Sequence, residues 1–132
     1  MGDSTRIDDL RRRVRQDPAS IAFAQLAEEH RRAGRLQEAV HVCRAGLAHH
    51  PAYLSARVTL GRALVALGRD DEAQAELEYV LRAAPDNLLA LRTLGEIQQR
   101  RRADAGGLVL AALEGWLARI VADRAVRAAG GM

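Results

Sequence analysis

The chain reads as an all-α, right-handed solenoid of about three helix-turn-helix hairpins, with an extra helix at one end and an apolar helix at the other. Three observations predict this. The sequence copies itself at a step of 34 residues: Leu26, Ala27, Gly34, Glu38, Ala39, Leu47 and Pro51 recur as Leu60, Gly61, Gly68, Glu72, Ala73, Leu81 and Pro85. The same step carries Leu54, Ala56, Leu60 and Gly61 onto Leu88, Ala90, Leu94 and Gly95. A period of this length marks stacked helical hairpins. Within each copy the apolar residues recur at helical spacing, and a glycine stands where a tight turn needs a residue free to take positive φ.

Each element follows from local sequence. Ile7, Leu10 and Val14 share one face of a first short helix ending near Gln16, which Asp3 or Ser4 can cap. Its other face carries Arg11, Arg12, Arg13 and Arg15, and it reads as the polar-faced end element that a repeat array needs. Asp17-Pro18 opens the next helix, the carboxylate serving free N–H groups and proline taking the first helical position. In the first hairpin, Phe23, Leu26, Ala27 and His30 form the buried stripe, Gly34 turns the chain, and Leu36, Ala39, Val40, Cys43 and Leu47 return inward. The second hairpin repeats the plan through Leu60, Gly61 and Leu64, Gly68, and Ala73, Leu77, Val80 and Leu81. Ala27, Gly61 and Gly95, with Ala39 and Ala73 opposite, mark where paired helices approach most closely. The third copy starts at Pro85-Asp86-Asn87 with Leu88, Leu91, Leu94, Gly95 and Ile97, and then decays. Arg102 stands where a turn glycine belongs, and Gly106-Gly107 predict a loop over 101–107 before a helix resumes at Leu108. The resulting partition is an end helix over 1–17, repeats over 18–50 and 51–84, and a degenerate third repeat with the last helix over 85–127.

Composition bounds the function. At 132 residues one domain is expected. Apolar residues make up 48% but aromatics only 3%, which suits a thin core spread evenly along stacked repeats. The net charge is +3 and the pI about 9.9. All 20 basic residues are Arg, as expected from a genome rich in G and C, and 17 acidic residues are interspersed with them. A single cysteine allows no internal disulfide. The N-terminus has no apolar segment of a secretory signal, and the chain has no uninterrupted run of about 18 apolar residues. A bacterial cytoplasmic protein without a membrane span is therefore expected.

The order of residues, with Leu-Gly, a turn glycine, Ala and a closing Pro at fixed offsets, resembles the tetratricopeptide repeat over roughly two-thirds of the chain. The resemblance implies that the leading helices line an inner groove. Its predicted lining is Ala24, Glu28 and Arg31 in the first copy, Val58, Arg62 and Val65 in the second, and Arg92, Glu96 and Gln99 in the third, with Ser55 and Leu89 at the rim. Glu28, Arg62 and Glu96 form a row of alternating sign. It reads equally as ion pairs between neighbouring helices and as a groove for a peptide or helix. Some members grip a terminal carboxylate with Lys, Asn and Arg. That set is missing here, where Ala24, Val58 and Arg92 stand, so such a clamp is not expected.

No catalytic, cofactor or metal grouping is predicted. His30 takes the place of the aromatic usual in the stripe of the family it resembles, His49 and His50 are neighbours that do not share a helix face, and His41 stands alone. Cys43 reads as a small buried hydrophobe. In the last helix, Leu110, Leu113, Leu117 and Val121 are expected to seal the third repeat. Val109, Trp116 and Ile120 then form a second stripe, for a partner or a second copy of the chain. The expected function is non-enzymatic scaffolding of a protein partner, with self-association through the last helix as the alternative. Nucleic-acid binding through Arg11–Arg15 and Arg100–Arg102 is disfavoured, because no aromatic stacking platform accompanies them.

Overall fold

The computed structural model describes residues 2–130, which form six α-helices. They are α1 (Gly2–Gln16), α2 (Ala22–Arg32), α3 (Leu36–His49), α4 (Leu54–Ala66), α5 (Asp70–Ala83) and α6 (Leu88–Gly130). The expected cap by Asp3 or Ser4 concerns side chains outside the described ones. The chain divides into two compact units, residues 1–97 and 98–132.

In the first unit, α2 pairs with α3 and α4 with α5, and α3–α4 and α2–α4 contacts stack one hairpin on the next. Gly34 (φ +79°) and Gly68 (φ +77°) make the turns, in the left-handed region that a side chain would strain. In both turns a backbone amide reaches back to the helix: Arg35 N–H donates to His30 O and Arg69 N–H to Leu64 O, each at 2.9 Å. The start of α2 departs from expectation. Asp17 accepts from the Ala19 amide at 3.1 Å and Ser20 Oγ from the Ala22 amide at 3.2 Å, so the polar side chains first stabilise a turn over 17–20. The helix begins only at Ala22.

The predicted stripes form the core. Phe23, Ala27, Ala39, Val40, Cys43 and Leu47 join Leu60, Leu64, Ala73, Leu77 and Val80 in one buried cluster. Ile7 and Leu10 of α1 cover Leu26 in a second. Two glycines set helix spacing. A Cβ on Gly61 would lie 2.9 Å from Leu77 Cδ2, as the close approach predicted. Gly46 was missed by the repeat comparison, and a Cβ there would fall 2.0 Å from the Phe23 ring. The next copy exchanges the volumes: Val80 follows Gly46 and Arg57 follows Phe23. Arg57 sits over the Tyr79 ring at 3.8 Å and pairs with Glu76 at 2.8 Å.

The third copy differs most. No loop interrupts residues 101–107; α6 runs unbroken for 43 residues. Gly106 and Gly107 each have open space around them and are carried within the helix. Leu88 and Leu91 are exposed, Gly95 has nothing within 4 Å, and burial falls instead on Ala90, Thr93 and Ile97. Leu110, Leu113, Leu117 and Val121, expected to seal the third repeat, are all exposed.

Candidate functional site

The candidate site is the inner face of the leading helices, built from α2, α4 and the first turns of α6. On α2, Ala24, Glu28 and Arg31 share a face by helical spacing. Glu28 is the centre of the site. Its carboxylate accepts from Arg31 Nη2 at 2.6 Å and Nε at 3.0 Å, and from Thr59 Oγ1 of α4 at 3.2 Å. The Arg31 hydrogen bond holds the Glu28 carboxyl below its ordinary value against the opposing effect of burial, and the Arg62 charge assists. Of the expected row Glu28, Arg62 and Glu96, Arg62 acts on Glu28 only by its charge, while the direct bonds of Glu28 go to Arg31, Arg32 and Thr59. Its geometry is bidentate and charge-assisted, which fixes the Arg31 side chain along the groove wall.

On α4, Arg62 and Val65 are half-buried and Ser55 is exposed, all able to meet a ligand. Val58 is not: it is 5% exposed and belongs to the core cluster. On α6, Leu89, Arg92 and Glu96 are exposed, and Gln99 falls in the second unit. A cavity of about 340 Å³ opens where Ala24, Glu28 and Ser55 meet Tyr53 and Thr59. It also draws on Arg6 of α1, which lies 3.5 Å from Glu29. Tyr53, Thr59 and Glu29 were not foreseen. Thr59 sits next to Val58 in sequence, and a reading one residue further round α4 would have found it.

Other residues singled out by the sequence make structural contacts. Cys43 is fully buried, and burial pushes its thiol up to about 12; Sγ donates to Ala56 O at 3.5 Å. His50 Nε2 lies 2.6 Å from Ala19 O, and its ring stacks on Phe23. Among the described residues no group of three or more His, Cys, Asp or Glu is placed to hold a metal. In the first Arg cluster, Arg13 pairs with Asp9 at 3.1 Å and Arg11 lies near Asp8 and Glu38.

In the second unit, Val109 and Trp116 are more than half exposed and Ile120 is partly covered. By length and composition α6 could cross a membrane, its most apolar window reaching a mean hydropathy of 1.5. This departs from the expectation drawn from the absence of an uninterrupted apolar run. Leu108–Val121 nevertheless carries Glu114 and Arg119. Each charge costs about 2.5–3.5 kcal/mol at a bilayer centre, against about 0.3–0.6 gained per Leu, Val or Ile.

A tetratricopeptide repeat model matches residues 30–105. No curated protein matches the chain by sequence. Among solved structures, it is similar to the first TPR of Spaghetti (RPAP3) bound to the HSP90 peptide SRMEEVD, at 25% identity and a TM-score of 0.73 over 76% of this chain and 81% of that one. It is similar to the second TPR domain of human RPAP3 in complex with the HSP70 peptide SGPTIEEVD, at 27% identity and a TM-score of 0.67 over 70% and 78% of the two chains. MamA shares the fold at 21% identity and a TM-score of 0.71, over 75% of this chain and 58% of that one.

Proposed function

Because this chain belongs to the tetratricopeptide repeat family, we propose that it is a non-enzymatic protein-binding module that takes a peptide or helix along the inner face of α2, α4 and the start of α6. The observation that carries this is the inner face itself. Glu28 holds Arg31 in place, while Arg62, Val65, Leu89 and Arg92 remain accessible beside it. Charged and apolar groups at helical spacing can fix both register and polarity of an incoming segment. The peptides held by the similar RPAP3 domains support this mode of binding. Neither Lys nor Asn stands in this row, so the ligand is met by guanidinium groups and short aliphatic side chains. The test is a peptide-library selection on the wild-type chain, repeated with Arg62→Glu and Arg92→Glu together. Selected peptides are expected to lose at least about tenfold in affinity for the double variant. Equal binding to both proteins would overturn the assignment.

A second reading rests on a separate observation, the exposed apolar stripe of Val109, Trp116 and Ile120 on α6. Large exposed aromatic and aliphatic patches mark interfaces. In this reading a second copy of the chain covers the stripe. Light scattering is expected to give a dimer for wild type and a monomer for Trp116→Ser, and a monomer in both would sink it.

A further inference from the structure

The first three helices enclose a cleft that the inner face does not use. α1 packs along α2 and α2 along α3, but α1 and α3 stand apart, leaving a cavity of about 470 Å³ between them. Pockets of about 300–1,000 Å³ hold small-molecule ligands. Val14 of α1, Leu26 of α2 and Val42 of α3 provide its apolar walls, and Arg11 and Arg15, one helical turn apart, stand along one side.

His30 lines this cleft at 2% exposure, and its Nδ1 makes no hydrogen bond. A buried nitrogen left without a partner is costly, and the equivalent place in the next repeat is filled by Leu64, which needs none. The nearest acceptor is Glu38, whose Oε2 lies 3.3 Å from Nδ1 and 3.8 Å from Arg11 Nη2. That carboxylate pairs with both by charge but gives His30 Nδ1 no well-aligned hydrogen bond, and its side chain is 54% exposed. The other acid near Arg11 is Asp8, at 3.9 Å, and Arg15 has no ion-pair partner among the described residues. An excess of positive charge therefore faces an apolar cleft, around a carboxylate that is only loosely held.

We propose that the cleft between α1 and α3 binds a small monocarboxylate with an apolar body. The ligand's carboxylate takes the place of the Glu38 carboxylate between His30 and Arg11, and is paired from the mouth by Arg15. Its body lies against Val14, Leu26 and Val42. Burial holds the His30 imidazole below its ordinary value of 6.5, so it is neutral at pH 7 and donates from Nδ1 in one tautomer. An imidazole N–H to a carboxylate is the charge-assisted bond that the buried nitrogen now lacks. Glu38, being exposed, swings into solvent at little cost.

The test uses the full chain, labelled with nitrogen-15 and titrated with octanoate. Saturable shifts are expected around Arg11–Arg15, His30 and Glu38–Val42, while octylamine, with the same body and opposite charge, produces none there. Arg15→Glu, a surface change, is expected to weaken octanoate by about tenfold. Glu38→Gln removes the competing carboxylate and is expected to tighten binding by about threefold or more. His30→Leu is expected to abolish binding while the protein melts at a higher temperature, which separates loss of the site from loss of the fold. Three outcomes would each overturn the proposal: octylamine binding as well as octanoate, unchanged octanoate affinity in both Arg15→Glu and Glu38→Gln, or shifts confined to Leu108–Val126.

Discussion

At the residue scale, the decisive positions are those where a side chain and its space disagree. His30 occupies a leucine place in the repeat and brings a nitrogen that finds no hydrogen bond. His30→Leu is expected to raise unfolding stability by about 1–3 kcal/mol, the cost of an unsatisfied buried polar atom, measured by urea denaturation at pH 7. The pH dependence has a definite sign. Burial depresses the folded-state affinity of His30 for a proton, so the unfolded chain binds more protons as pH falls below 6.5. The stabilisation is complete above pH 6.5 and is lost as pH drops from there towards the depressed folded value. Glu28 adds a loss of the same sign at lower pH, beginning below its ordinary 4.5. His30→Leu is expected to flatten the upper part of this profile and leave the lower part intact. Glycines give a second contrast. Gly46→Ala forces a methyl into the Phe23 ring, which Tyr53 and His50 hold in place, and is expected to cost about 1–3 kcal/mol or more. Gly95→Ala meets open space and is expected to gain about 0.5–1 kcal/mol from helix propensity. Denaturation midpoints of the two variants should move in opposite directions.

At the element scale, period and turn chemistry explain the four helices α2 to α5, and α6 departs from them. Gly34 and Gly68 each end a helix because the chain must reverse and only glycine takes positive φ without strain. In the third copy Arg102 stands in that place, no residue favours reversal, and the helix continues. Gly106 and Gly107 signalled a loop by composition alone, yet an isolated glycine pair costs a helix only about 1 kcal/mol per residue relative to alanine. Gly106→Ala with Gly107→Ala is therefore expected to preserve or increase helical circular dichroism and raise protection of amides 101–110 from exchange. Amides 101–110 that exchange freely in the wild-type chain would show that the segment is a loop. Helical spacing puts Ala24, Glu28 and Arg31 on one face of α2. The inner face was misread at Val58, because α4 is apolar on most of its circumference and spacing cannot say which apolar stripe is covered.

At the scale of the whole molecule, the core of the first unit is complete by Ile97, the last residue of its buried cluster. A chain ending at Arg101 is expected to unfold cooperatively with a midpoint within a few degrees of the full-length protein, measured by thermal circular dichroism. A broad, non-cooperative melt would show that the distal helix is part of the fold. Sequence alone determined the hairpin period, the two turns and the identity of the core stripes, because these depend on local backbone preferences and on one-dimensional spacing. Tertiary structure alone decided that α6 runs unbroken past the expected third turn, that Glu28 bonds to Arg31 and Thr59 while sensing Arg62 at a distance, and that α1 leaves a cleft beside His30. Those outcomes depend on distances between helices and on which faces find a neighbour, and a repeat pattern specifies neither.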